Sequence, residues 1–178
     1  MISTEMIPNW YVAMVHTNTE LSTSKLLDSM MIENYVPTQM VMRISRSGRK
    51  TKAYRTVIPG IVFVRCTDGV RKGEVAHIPS VRRFMMDRAS KEPHVAIVSE
   101  KEIDMLRFMV GQSEVPVNIV PYNFSAGSKV RIIRGALKGL EGEVNEIKSG
   151  TNELIIRLDV LGCACLSIDS SNLTRVEV

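Results

Sequence analysis

No apolar run in the 178 residues approaches the ~18 that a membrane span requires. Met1 to Asn9 also lacks the basic-then-apolar order of an export signal. A cytoplasmic chain with no membrane association is the expectation. Cysteine is scarce: Cys66, Cys163 and Cys165 are odd in number, and the C-x-C spacing of the last two is unlike a structural zinc site. Reduced thiols and no metal follow. His16, His77 and His94 show no His-x-x-x-His spacing, and no Ser or Cys stands in a nucleophile elbow. No glycine-rich phosphate loop ends in Gly-Lys-Ser/Thr. The chain therefore offers no catalytic residue and no cofactor site, and is expected not to be an enzyme.

What is present suffices for a packed core. Hydrophobic residues make up 44% and charged residues 24%, with mean hydropathy +0.03, so a folded, soluble protein is expected. The length suits two small domains. Net charge is +4, but it is unevenly placed: residues 1–110 hold 16 Lys and Arg against 11 Asp and Glu, and residues 111–178 hold 7 against 8. Any polyanion-facing surface belongs to the first part.

Trp10 to Val15 is aromatic and β-branched and too short for a helix, so it reads as a buried strand. Between Thr19 and Glu33, Leu26, Leu27, Met30 and Met31 recur at helical spacing and predict an amphipathic helix covering that strand. Tyr35 to Ile44 and Thr56 to Val64 read as two arms of a hairpin about Ser47-Gly48, with a local break at Pro59-Gly60. A short strand is expected near Val95 to Val98. Ser99 and Glu102 then form a capping box ahead of Ile103, Leu106 and Val110, predicting a helix over about 100–110 that stops at Gly111. Helices against an antiparallel sheet make an α+β domain over 1–111.

Residues 112–124 contain Pro116 and Pro121 and no periodicity, and read as a linker. Beyond it, Lys129 to Ile133, Gly142 to Ile147, Leu154 to Val160, Cys163 to Ile168 and Leu173 to Val178 are five short strand candidates, as expected of a small barrel over 125–178.

Gly127 to Ile147, GSKVRIIRGALKGLEGEVNEI, places Gly135, Gly139 and Gly142 between apolar strand residues and resembles the KOW motif. That resemblance implies an SH3-like barrel, a fold shared by transcription factors and ribosomal proteins. The preceding part resembles the NusG N-terminal domain. The blocks that carry the likeness are Trp10-Tyr11-Val12, Val36-Pro37-Thr38, Ile58-Pro59-Gly60-Ile61-Val62-Phe63-Val64, Ile78-Pro79-Ser80-Val81 and Ser99-Glu100-Lys101-Glu102-Ile103. Together they imply an α/β sandwich-like NusG N-terminal domain followed by a KOW barrel. The entry segment Val120 to Gly127, and aliphatic residues where general factors carry aromatics, are most similar to the UpxY-type antiterminators of Bacteroidetes polysaccharide operons.

The resemblance implies transcription antitermination or elongation control through the clamp helices of the RNA polymerase largest subunit. Met14, Ile58, Pro59, Ile61 and Phe63 match the contact positions, while Val57, Val62 and Val64 are expected in the core and Trp10 and Tyr11 to be structural. Arg71 and Lys72 fall near a second polymerase contact, and Leu161 and Gly162 fall where relatives present a loop to ribosomal or termination-factor partners. Independently of any likeness, Arg43, Arg46, Arg49, Lys50, Lys52 and Arg55 lie in a stretch with no acidic residue, a concentration suited to the phosphates of a nucleic-acid strand, and the resemblance implies non-template DNA or nascent RNA as that strand. Exposed basic hairpins also occur as solvated tips. A monomer is expected. Two other functions remain open: a housekeeping elongation factor, and a ribosome- or RNA-binding KOW protein, against which the barrel's slight negative charge argues.

Overall fold

The computed structural model describes residues 7–87, 92–120, 128–146, 152–158, 162–168 and 172–176. The described chain forms two compact units, one of residues 1–37 with 58–103, the other of residues 38–57 with 104–178. The partition departs from chain order. The basic hairpin and the greater part of the last helix, both within residues 1–111, group with the C-terminal strands.

In the first unit, β1 (Asn9–Val15) is the middle of a five-stranded antiparallel sheet. It pairs with β5 (Ile61–Cys66) on one side, and with β6 (Val81–Phe84) and β9 (Ile97–Val98) on the other; β2 (Glu33–Tyr35) adds to β5. Successive side chains of a strand point to opposite faces. Tyr11, Ala13 and Val15 of β1 and Val62, Val64 and Cys66 of β5 therefore enter one core with Leu27, Ile32, Val75, Ile78, Val81 and Phe84. Trp10, Val12 and Met14 share the opposite face with Ile61 and Phe63. Val62 and Val64 are core residues, as their alternation predicted.

The helix α1 (Glu20–Ser29) begins where expected but ends four residues short of Glu33, which opens β2, and it turns a different face inward. Glu20, Thr23 and Leu27 are buried and Met30 packs against the core, whereas Leu26 and Met31 are exposed. Two of the inward positions are polar, and hydrogen bonds make their burial affordable. The Glu20 carboxylate accepts the Gly60 N–H at 2.6 Å, and the hydroxyls of Thr23 and Ser80 lie 2.6 Å apart. Apolar periodicity alone could not have found that face. Two further elements follow: α2 (Asp68–Gly73), capped by the Thr67 hydroxyl, and a 3-10 turn (Val75–His77).

The hairpin differs from its expected form. Its arms are β3 (Thr38–Ile44) and β4 (Lys50–Thr56), paired through seven residues into a sheet of their own, while of the expected second arm, Thr56 to Val64, the part from Ile61 onward belongs to the sheet strand β5. A ribbon with solvated faces needs no apolar alternation, so the polar Lys50–Thr56 run escaped a search based on it. Pro59-Gly60 is the turn between ribbon and sheet. Gly60 has φ +76°, and its carbonyl accepts the Val15 N–H at 2.8 Å; an added Cβ would lie 3.4 Å from the Val15 oxygen. A two-residue pair, β7 (Met86–Asp87) with β8 (His94–Val95), completes the small strands of the first unit.

The capping box forms: the Ser99 N–H and hydroxyl donate to Glu102, and the Glu102 N–H donates to the Ser99 hydroxyl, opening α3 (Glu100–Gln112). Residues 118–120 of the expected linker are a strand, β10 (Asn118–Val120). With β11 (Ser128–Ile132), β12 (Glu141–Glu146), β13 (Asn152–Leu158), β14 (Gly162–Ile168) and β15 (Leu173–Arg175) it makes a six-stranded antiparallel sheet in the order β10-β14-β13-β12-β11-β15. Gly135 and Gly139 take positive φ in the turn region before β12, whereas Gly142 is a strand residue opposite Val130. Ile155, Cys163 and Cys165 pack together inside, with the thiols reduced.

Phe63 has no exposed surface and stacks on Tyr35 with ring centroids 6.0 Å apart. Truncation by Phe63→Ala is expected to cost about 3–5 kcal/mol. Urea unfolding followed through Trp10, the only tryptophan, measures it; a loss below about 1 kcal/mol would show that the site collapses or is not packed.

Candidate functional site

The six cations of the ribbon do not form one cluster. Directly opposed residues share a face in an antiparallel pair. Lys50 opposes Ile44 and Lys52 opposes Met42 on one face; Arg43 opposes Thr51 on the other; Arg46 and Arg49 flank the tip. These five side chains are exposed, and among the described residues no carboxylate pairs with them. Arg55 departs from expectation. Its Nη2 donates to the Val117 carbonyl at 2.6 Å, and both terminal nitrogens reach Asn118 Oδ1 at 3.4 Å, so it is committed to the base of the ribbon rather than free for a phosphate.

The opposing residue, Gln39, completes that base. Its buried amide donates to the carbonyls of Ser113 at 3.0 Å and Val115 at 2.8 Å, and its oxygen accepts the Val117 N–H at 3.0 Å. A lone Gln on a strand carries no sequence signal for such an anchor. The tip is thus held on a fixed stem, with Ser45 and Arg49 closing the turn through a backbone hydrogen bond of 2.9 Å.

The five matched contact positions are gathered about the Gly60 turn but differ in access. Met14 and Ile58 are half-buried and Pro59 is exposed, whereas Ile61 and Phe63 are buried at 6% and 0% exposure. The expectation that Ile61 and Phe63 present surface is corrected: they lie in the ladder Met14-Ile61 and Val12-Phe63-Tyr35, which a central strand buries on both sides. At the far end of the same face, Trp10 Nε1 donates to Glu100 at 2.9 Å, and Arg65 pairs with Glu33 at 3.1 Å and Glu100 at 3.5 Å. Trp10 and Tyr11 are buried, the structural role expected of them.

Arg71 is also withdrawn from the surface. Its guanidinium lies 5.2 Å from the ring centroids of both Tyr11 and Phe84 and pairs with Asp68 at 2.5 Å, so it is a packing residue and not a free contact. Lys72 is exposed and holds the other Asp68 oxygen at 2.6 Å. Hydrogen bonds from Lys72, then Arg71, keep the Asp68 carboxyl below its ordinary range. Burial pushes the Cys66 thiol up to about 11, which keeps it protonated near neutrality. Gly162 is buried at the start of β14, and Leu161 lies outside the described residues. Among the described residues, no three His, Cys, Asp or Glu gather to hold a metal, and no helix is long and apolar enough to cross a membrane.

This arrangement agrees with comparison to known proteins. The family model described as transcription termination factor nusG matches residues 8–107. The chain belongs to the NusG family. Transcription termination/antitermination protein NusG of Helicobacter pylori is 21% identical over 164 residues, 86% of this chain and 90% of the relative. That of Treponema pallidum is 22% identical over 176 residues, covering 89% and 93%. The solved structure of Thermotoga maritima NusG, described under domain interaction, matches 97% of this chain and 99% of its own with TM-score 0.51 and 18% identity. The fold is that of NusG, an α/β N-terminal domain followed by a KOW domain, and the family is one of transcription factors rather than enzymes.

The division of the NusG-domain cations into packed and exposed groups is measurable. Arg71→Ala is expected to lower stability by about 1–3 kcal/mol through lost ring and carboxylate contacts, and Lys72→Ala by less than about 0.5. Because the Asp68 pKa is depressed, its contribution is present above the unfolded value near 3.8 and is lost as pH falls below it. Urea titrations of Asp68→Asn across that range should show a flatter acid limb than the parent; an unchanged limb would mean the pair carries no linkage.

Proposed function

We propose that this protein is a specialised transcription antitermination factor. It grips the clamp helices of the RNA polymerase largest subunit and suppresses pausing or termination on surface (capsular) polysaccharide operons. The observation that carries the reading is the apolar corner at Gly60, where the half-buried Met14 and Ile58 and the exposed Pro59 border a turn clipped by the Val15 and Glu20 hydrogen bonds. A rigid apolar corner backed by buried Ile61 and Phe63 suits the side of a partner helix, and the unbranched Met14 adapts to its relief.

Polymerase holding is assigned to 1–111 and a second partner, ribosomal or a termination factor, to 125–178, with Leu161 in the contacting loop and Gly162, buried in β14, as its support. The exposed cations Arg43, Arg46, Arg49, Lys50 and Lys52 add a contact to non-template DNA or nascent RNA beside the polymerase. The operon class is supported by the likeness of Val120 to Gly127 to UpxY-type factors and by the aliphatic character of Met14, Ile58 and Ile61.

The test uses the full chain carrying Met14→Asp and Ile58→Asp, neither of which is fully buried. Capture of polymerase is expected to fall by more than roughly tenfold while the unfolding curve keeps its cooperativity, since a charge left facing an apolar partner costs on the order of 2 kcal/mol or more. Full capture by the folded double variant would remove this corner from the interface. Chromatin occupancy confined to polysaccharide operons is the expected distribution; occupancy across most transcribed genes would make it a housekeeping factor.

A further inference from the structure

The ribbon's two faces differ in a way its charge count does not convey. On one face, Met40 opposes Tyr54, Met42 opposes Lys52 and Ile44 opposes Lys50. The apolar members of this face are left in solvent: Met40 is 50% exposed, Met42 56%, Ile44 66% and Tyr54 69%. The other face turns Gln39 and Arg55 into the anchored base, with Val41 and Ala53 half-buried above them. The Met–Ile–Tyr face is therefore not the inner side of the ribbon, and its apolar surface has no packing role among the described residues.

Charge narrows what could cover it. From Asn34 to Thr67 there is no acidic residue, while Arg43, Arg46, Arg49, Lys50 and Lys52 are basic and exposed, so the occupant should be anionic. It must also offer apolar surface to a phenol ring and thioethers. Duplex nucleic acid hides its base faces within the stack and would meet the lysines but gain nothing from Tyr54. An unpaired strand exposes both kinds of surface, phosphates for cations and base faces for aromatic stacking. Along β4, Lys50, Lys52 and Tyr54 follow at steps of about 6.6 Å on one face, which lets a single extended strand meet them in succession.

We propose that the Met40–Met42–Ile44–Tyr54 face binds one unpaired nucleic-acid strand, stacking a base on Tyr54 while Lys50 and Lys52 hold its phosphates. The inference rests on the nucleic-acid reading of the ribbon and adds to it the face, the strandedness and the stacking residue. The phosphates and base faces it would meet are common to both sugars, so the site takes DNA and RNA alike.

The experiment measures binding of the full chain to fluorescent oligonucleotides of about 12 units: a DNA strand, an RNA strand, the DNA duplex and an abasic strand. Single strands are expected to bind within about threefold of each other and more tightly than duplex. Tyr54→Ala should weaken single-strand binding roughly tenfold and Tyr54→Trp should restore it. The abasic strand should bind weakly and be indifferent to Tyr54→Ala. Lys50→Ala with Lys52→Ala should lower the salt slope by about 1.4, the sum for two phosphate contacts on a single strand. Unfolding curves of the Tyr54 variants should match the parent, because the side chain is exposed.

Parental affinity in Tyr54→Ala, combined with loss in Arg43→Ala/Arg46→Ala/Arg49→Ala, would overturn the stacking site and leave the ribbon a purely electrostatic contact. Tighter duplex binding, or a sugar preference above about tenfold, would likewise overturn it. No binding of any strand by the parent would remove the nucleic-acid reading itself, leaving polymerase capture to stand separately. If no strand binds but Tyr54→Ala reduces polymerase capture, the face belongs to a protein contact instead.

Discussion

The N-terminal unit is organised by the burial of β1 on both sides. Its residues alternate between the core shared with α1 and the face shared with Ile61 and Phe63, and three neighbouring strands take its backbone groups. Fully burying a Val, Leu, Ile or Phe side chain contributes about 1.5–3 kcal/mol, so polar or charged chemistry at the centre of this sheet would forfeit the energy that holds the unit together. The proposed recognition surfaces accordingly lie at the margins: the turn at Gly60 and the ribbon carried by chain that leaves the sheet. The polar groups that do enter the interior, Glu20 and Thr23, arrive with partners already assigned.

Electrostatics follows the same partition between framework and periphery. Arg65 ties β5 to β2 and to the first turn of α3 through Glu33 and Glu100, Arg71 lies over two aromatic rings, and Arg55 holds backbone and Asn118. These cations are spent on the fold, and a net charge count assigns them to partners they cannot reach. The exposed set on the ribbon retains its full field because no acid is nearby in sequence. Salt, which screens exposed charges over about 8–10 Å, therefore acts on the ribbon far more than on the buried Arg71 pair.

Much of the architecture was legible because it rests on local chemistry. The apolar run at Trp10, the Ser99–Glu102 box and the turn residues of the C-terminal strands each state their structure within a few positions. What failed was non-local or polar. The inward face of α1 is set by Glu20 and Thr23, whose partners lie 40 and 57 residues away. The second arm of the ribbon is polar because it has no core to face, and β10 was hidden by flanking prolines although its register with β14 is regular. At the candidate site, alternation correctly separated Val62 and Val64 from Ile61 and Phe63. It could not say that the second face is buried too, since one strand carries no information about what covers it. Nothing in the residue type of Arg55 or Arg71 distinguishes a packed guanidinium from a solvated one.

Among the described residues, the ribbon's ladder is a two-stranded sheet of its own, joined to the rest of its unit through the hydrogen bonds of the Gln39 and Arg55 base. Residues 42–52, beyond that base, are exposed, and distant, independent substitutions add in free energy without coupling. The outer residues are therefore open to evolutionary drift at low cost in stability. Paralogues sharing one scaffold could diverge in what they recognise by rewriting about a dozen surface positions, with selection on the framework left undisturbed.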